Sequence, residues 1–226
     1  SLELGGKNPS IIFADCNWDK VFFETIRSSF ANQGEICLCA SRILIEESVY
    51  EKFKTKFVEW VKKLTVGNPL DEHSKQGDIV SKAHYEKILR CIDTAKQEGG
   101  KILCGGHAIT LSRRCANGYF IEPTVIEGLG QNCHTNQEEI FGPVAAVIKV
   151  EDFDEGIAMC NDTPFGLSAG ICTASLSHAT RFRREANAGM VMVNLPTAGV
   201  DYHVPFGGMK ESSYGSREQG RYAMEF

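Results

Sequence analysis

No apolar run in the 226-residue chain approaches the roughly 20 residues needed to cross a bilayer. The first residues also lack the charged, apolar and small-residue order of a signal peptide, so neither a membrane partner nor a secretory route is expected. Charge of one sign is never concentrated: 24 Lys+Arg stand against 29 Asp+Glu, spread without long blocks. With no basic stripe, nucleic acid is not an expected partner, which leaves a small molecule or another subunit. The nine cysteines do not form a short disulfide framework but are scattered through apolar, regularly patterned segments, as suits a reducing, cytoplasmic compartment. The C-x-C at Cys37 and Cys39 has neither a second cysteine pair nor an H-x-x-x-H beside it, so no metal is expected. Internal repeats, low-complexity tracts and linkers are absent as well.

What is present is enough apolar material, 42% of the chain, to bury the core of one large domain. Short β-branched runs alternate with stretches of helical period, the pattern of βαβ units and a mainly parallel sheet. The spacing predicts strands over 9–13, 42–45, 101–104, 119–126, 144–150, 167–172 and 189–194. Helices are predicted over 19–32, 48–64, 81–98, 153–160 and 175–186, the third stopped by the Gly99–Gly100 pair. Residues 105–118 read as a polar surface loop. The period is lost over 195–216, and long irregular segments inside compact domains are commonly functional. In α/β sheets of this kind the loops after the strands are the expected place for a site.

Two stretches carry candidate chemistry. In Asn32-Gln33-Gly34-Glu35-Ile36-Cys37-Leu38-Cys39, a cysteine lies on the connection between a helix and a strand, where its thiolate could be open to a cleft and act as a nucleophile. In Leu2-Glu3-Leu4-Gly5-Gly6-Lys7, a carboxylate stands between apolar residues just before a glycine pair. Burial there would make it a usable base near neutrality.

Together the two stretches resemble the E-L-G-G-K and F-x-N-x-G-x-x-C motifs of the aldehyde dehydrogenase superfamily. The resemblance implies Glu3 as general base and Cys37 as nucleophile, with Gly5 approaching the cofactor and Ile36 and Leu38 flanking the substrate. Glu138-Glu139-Ile140-Phe141-Gly142-Pro143 is similar to the family's E-x-F-G-P segment, which implies that Glu139 and Phe141 touch the nicotinamide ribose and ring; Lys87 occupies the place of a lysine near the same ribose. Pro205-Phe206-Gly207-Gly208-Met209-Lys210 and the residues after it resemble P-F-G-G-x-K-x-S-G-x-G-R-E, with Phe206 lining the substrate side and Leu195 and Tyr202 on the loop before it. The spacing departs from the family at Ser213-Tyr214-Gly215, and Asn194 is expected to brace the turn that opens the loop.

The resemblance covers the whole chain and implies a three-layer α/β fold, a mainly parallel twisted sheet with helices on both faces. Residues 1–194 would form the catalytic domain, and 195–226 its active-site loop and a closing segment that returns towards a cofactor domain. Because the chain opens where the family's cofactor domain is ending, it is expected to be a fragment, inactive alone, with most of the NAD or NADP site upstream. The full-length protein would be a homodimer or homotetramer acting on a small-molecule aldehyde. Residues 32–39 resemble the muconic semialdehyde dehydrogenases and 194–203 the α-ketoglutaric semialdehyde enzymes, so a semialdehyde is expected. A CoA-acylating relative or a non-catalytic structural relative are the alternatives; an intact Glu3 weighs against the first, which would use the same cysteine, and an intact Glu3 and Cys37 weigh against the second.

Overall fold

A computed structural model describes residues 1–224. Seven strands form the central sheet: β1 (Asn8–Ile12), β2 (Ala40–Glu46), β3 (Lys101–Cys104), β4 (Thr124–Glu127), β5 (Val144–Val150), β6 (Ser168–Cys172) and β7 (Met190–Val193). Their spatial order is β7-β6-β1-β2-β5-β4-β3, parallel throughout except for the antiparallel edge strand β3. β1 and β6 are buried along their whole length, the mark of a parallel sheet covered on both faces.

Five helices supply that cover: α1 (Val21–Phe30), α2 (Tyr50–Val61), α3 (Lys82–Gln97), α4 (Phe153–Asn161) and α5 (Leu176–Glu185). Alternate residues of β5 point to opposite sides of the sheet. Ala145 and Val147 join a core with Phe22 and Phe30 of α1 and Phe53, Phe57 and Val61 of α2. Val144 and Ala146 meet Ile88, Ile92 and Ala95 of α3, while Ile148 and Val150 meet Phe153 and Ile157 of α4 and Phe182 of α5. The result is three layers, α1 and α2 on one face and α3, α4 and α5 on the other.

Local chemistry sets the ends of these elements. Ser81, Asp152 and Ser175 accept hydrogen bonds from the backbone N–H three residues on, which caps α3, α4 and α5. Gly99 adopts φ +90° after α3, and the Gly100 N–H returns to the Ala95 carbonyl at 2.8 Å. The strand predicted over 119–126 is two strands, Phe120–Ile121 and β4, because Pro123 between them has no N–H for a ladder. Phe120–Ile121 pairs with Ala108–Ile109 from within the expected polar loop. Order also reaches 195–216, where Met209–Lys210 pairs with Phe165–Gly166 and Ser213–Tyr214 with Leu2–Glu3.

The Phe22, Phe53 and Phe57 rings stack in series, with centroids 5.0 and 5.8 Å apart, between α1, α2 and the sheet. Phe53 is fully buried, so Phe53→Ala is expected to cost about 3–5 kcal/mol. In urea unfolding this would appear as a lower midpoint with an unchanged slope.

Candidate active site

The candidate residues converge at the amino ends of the parallel strands, not after their carboxyl ends as expected from the sequence. Gly5 and Gly6 precede β1, Cys37 precedes β2, and Glu139 and Phe141 precede β5. Because these strands are neighbours in the sheet, their three approach loops are brought side by side.

The loops are close enough that side chains are excluded from their contact. Gly34, at φ +73°, lies so near the next loop that a Cβ there would stand 2.1 Å from the Gly142 carbonyl oxygen. Asn32 and Gln33 before it also take left-handed backbone angles, at φ 49° and 51°, a strained pair of turns that re-aims the chain from α1 into the cysteine segment. Gly5, at φ +96°, leaves room for the Glu139 carboxylate, which a Cβ would meet at 2.5 Å.

Asn8, buried at the head of β1, ties these pieces together. Its amide donates to the carbonyls of Cys37 at 2.7 Å and Cys39 at 3.0 Å, and its oxygen accepts from the Ser168 N–H at 3.0 Å. The sequence reading did not single out Asn8; the available signal is a polar amide leading an otherwise apolar, buried strand. Below it, the fully buried Arg42 donates to the carbonyls of Lys7, Met159 and Cys160 at 3.0, 2.8 and 3.2 Å. Burial, and then the Arg42 charge, lower the Lys7 ammonium to about 7.

The two cysteines separate clearly. Cys39 is buried, its sulfur is 3.6 Å from the Ala31 carbonyl, and burial pushes its thiol up to about 12. Cys37 is half-exposed at a narrow cleft that Gly6, Ile36, Glu139, Phe141 and the buried Cys39 also line. Burial and then the negative charges of Glu139 and Glu3 raise its thiol, against the opposing pull of the Cys37 and Leu38 backbone N–H groups.

Glu139 is half-buried, with Oε1 accepting from the Gly6 N–H at 2.9 Å. Burial raises its carboxyl; the Gly6 N–H and the charges of Lys87, Lys7 and His84 act in the opposite direction. The Lys87 ammonium donates to the Glu139 carbonyl at 3.0 Å, and the Phe141 carbonyl lies 2.5 Å from His84 Nε2, so Glu139 and Phe141 are both held by α3.

Glu3 is not buried, contrary to the expectation: Leu2 and Leu4 on either side are 55% and 53% exposed. Its carboxylate accepts from the Ser213 hydroxyl at 2.7 Å, across the short ladder with Ser213–Tyr214. Phe206 packs with Ile36, Cys37, Met192 and Val200 against the buried Leu38, Leu167 and Met190. Leu38 therefore belongs to that core and not to a pocket wall. Leu195 lines a cavity of about 640 Å³ beside β7, while Tyr202, 86% exposed, stands outside it. Asn194 braces its turn as expected, its amide exchanging two hydrogen bonds of 2.9 Å with the backbone of Thr173.

The profile of the aldehyde dehydrogenase family matches residues 1–226, the whole chain. The chain belongs to the aldehyde dehydrogenase family. It is 39% identical over 225 residues to the α-ketoglutaric semialdehyde dehydrogenase of Bacillus subtilis and 42% identical over 228 residues to the 2-aminomuconic semialdehyde dehydrogenase of Danio rerio. In both comparisons all of this chain is covered but only 46% of the relative, so the chain spans about half the length of these aldehyde dehydrogenases. The crystal structure of betaine aldehyde dehydrogenase from Staphylococcus aureus in complex with NAD⁺ superposes with a TM-score of 0.93 at 34% identity, over 99% of this chain and 44% of that one. Among the described residues of this aldehyde dehydrogenase chain, no helix is long and apolar enough to cross a membrane, no His/Cys/Asp/Glu group could hold a metal ion, and all nine cysteines are free.

Because the Glu139 charge helps to raise the Cys37 thiol, Glu139→Gln is expected to lower it and so increase the thiolate present at pH 7.5. Iodoacetamide should then label Cys37 faster in the variant, with Cys39 unlabelled in both forms; peptide mass spectrometry over a pH series reads both rates.

Proposed function

We propose that the protein containing this chain oxidises an aldehyde, of the semialdehyde class, to the carboxylic acid with NAD or NADP, using Cys37 as nucleophile and Glu3 as general base. The observation that carries the reading is the contrast between the two thiols. Cys37 is half-exposed beside a carboxylate-bearing loop, while Cys39, which borders the same cleft, is buried and its thiol is pushed up to about 12. The semialdehyde class is supported by the printed names of the two relatives, each of which matches the chain along its full length.

The cleft suits a nicotinamide nucleotide. Glu139 is held by one oxygen at the Gly6 N–H, which leaves Oε2 free to accept from a sugar hydroxyl, and the Lys87 ammonium stands at the same loop. Phe141 lines the same cleft as Glu139 and Cys37. Bound there, the nicotinamide would supply the hydride acceptor that the protein itself lacks.

In the first step the Cys37 sulfur gives its proton to solvent water and bonds to the aldehyde carbon, and the carbonyl electron pair moves onto oxygen as a thiohemiacetal. The Cys37 and Leu38 backbone N–H groups that favour the thiolate are the donors this chain offers to negative charge. Loss of hydride from the same carbon leaves a thioester on Cys37. Glu3 then takes a proton from water as the water oxygen adds to the thioester carbon, and the carbon–sulfur bond breaks to release acid and thiolate. The Ser213 hydroxyl holds one Glu3 oxygen and leaves the other for water. The setting is cytoplasmic, where the free thiols persist, and the working assembly is a homodimer or homotetramer.

Three variants of the full-length protein test the chemistry. Cys37→Ala should abolish turnover, whereas Cys39→Ala retains it; the reverse outcome removes Cys37 from the mechanism. Glu3→Gln should allow a single burst of reduced nucleotide and then stall, with an acyl adduct on Cys37 in the intact mass. Normal steady turnover without adduct excludes Glu3 as the base.

A further inference from the structure

Gln33, at the turn before Gly34, and Phe141, on the cleft wall, hold left-handed backbone angles, φ 51° and 59°. Residues with a Cβ keep such angles only where surrounding contacts hold them there. Both turns are met by one short stretch, residues 77–84, that runs into the first turn of α3. The Gln33 side chain accepts from the Gly77 N–H at 3.1 Å and donates to the Asp78 carbonyl at 3.3 Å. Glu35, with 7% of its side chain exposed, accepts from the Val80 N–H at 3.2 Å. The Phe141 turn is met by His84, whose ring centroid lies 5.8 Å from that of Phe141 and whose Nε2 is 2.5 Å from the Phe141 carbonyl oxygen.

A second neighbour decides the state of that nitrogen. Glu35 Oε1 lies 3.6 Å from Nε2, so both groups facing it are acceptors, and Nε2 carries the proton and donates to the carbonyl. His84 therefore stands between the segment that leads to Cys37 and the loop that carries Glu139 and Phe141. One turn along α3, Lys87 donates to the Glu139 carbonyl at 3.0 Å, and Ile88 packs against Gly142, where a Cβ would meet it at 2.6 Å. Of the three, only His84 bonds to a residue in the left-handed region.

We propose that His84 is a positioning residue for the cleft: with Glu35 beside it, its N–H holds the strained Phe141 turn, and through that turn it sets Phe141 and Glu139 relative to Cys37. This rests on the reading of the cleft as the site of aldehyde oxidation and adds a residue that acts on it through the backbone of Phe141. Without the N–H, the turn loses the bond that offsets its strain, and the loop with Glu139 is free to move away from Cys37. Because the Glu139 charge helps to raise the Cys37 thiol, the position of the loop can be read at the sulfur with no nucleotide bound.

The test labels the full-length protein with iodoacetamide at pH 7.5 in the absence of nucleotide. His84→Met, which keeps the bulk and loses the donor, should label Cys37 faster by about 2- to 10-fold, the worth of one hydrogen bond. His84→Gln, whose amide can donate to the same carbonyl, should label near the wild-type rate. His84→Met combined with Glu139→Gln should label no faster than Glu139→Gln alone, since both changes act through one carboxylate. Cys39 should stay unlabelled throughout. An unchanged rate in His84→Met, a fully additive double variant or equal rates for the Met and Gln variants overturns the assignment. So does labelling of Cys39, which marks a general opening of the core. With nucleotide present, His84→Met should raise the KM for the nucleotide and leave the KM for the aldehyde as in the wild type, and His84→Gln should restore it. If labelling follows the expected rates but no form of the protein oxidises an aldehyde, the catalytic reading fails and the role of His84 stands.

Discussion

Three backbone segments enter the sheet at adjacent strand ends, close enough that a Cβ at Gly34 or Gly5 would collide with the neighbouring loop. Gly34 and Gly142 meet backbone to backbone, and Gly5 admits the Glu139 carboxylate where any Cβ would collide with it. The glycines therefore do more than permit turns. They set how near the Cys37 segment, the Glu139 carboxylate and the approach to β1 can stand, and Asn8 fixes that spacing by joining the cysteine segment to the first residue of β6. Displacing any one segment would break bonds or contacts made by the other two.

Beneath this junction the interior is charged. Arg42 satisfies three carbonyls from two different segments, and Lys7 beside it is held near neutrality because burial and a neighbouring guanidinium both oppose its charge. Above it, burial and then the Glu139 and Glu3 charges raise the Cys37 thiol.

Much of the fold was legible from apolar period alone. The limits of β5 match the expected segment residue for residue, and α4 and the α3 terminus differ by one residue at most. The short ladders Met209–Lys210 with Phe165–Gly166 and Ser213–Tyr214 with Leu2–Glu3 were not legible, because two-residue strands carry no period and their partners lie far away in sequence. The location of the site was misread for a related reason. Connection patterns say which loops join which strands, but the end of the sheet that gathers function depends on which approach loops are tight enough to touch.

By itself the sequence determined the family, the Gly34–Cys39 segment proposed to carry the nucleophile, and the alternation that commits the chain to three layers. Those features are local or periodic, and each follows from the conformations and burial preferences of neighbouring residues. Only the tertiary structure showed Cys37 half-exposed and Cys39 buried, left Glu3 in the open on a ladder to Ser213, and moved Leu38 into the core and Tyr202 out of the cavity. Burial, charge environment and shared cavities are properties of packing between distant segments, and no pattern along the chain encodes them one residue at a time.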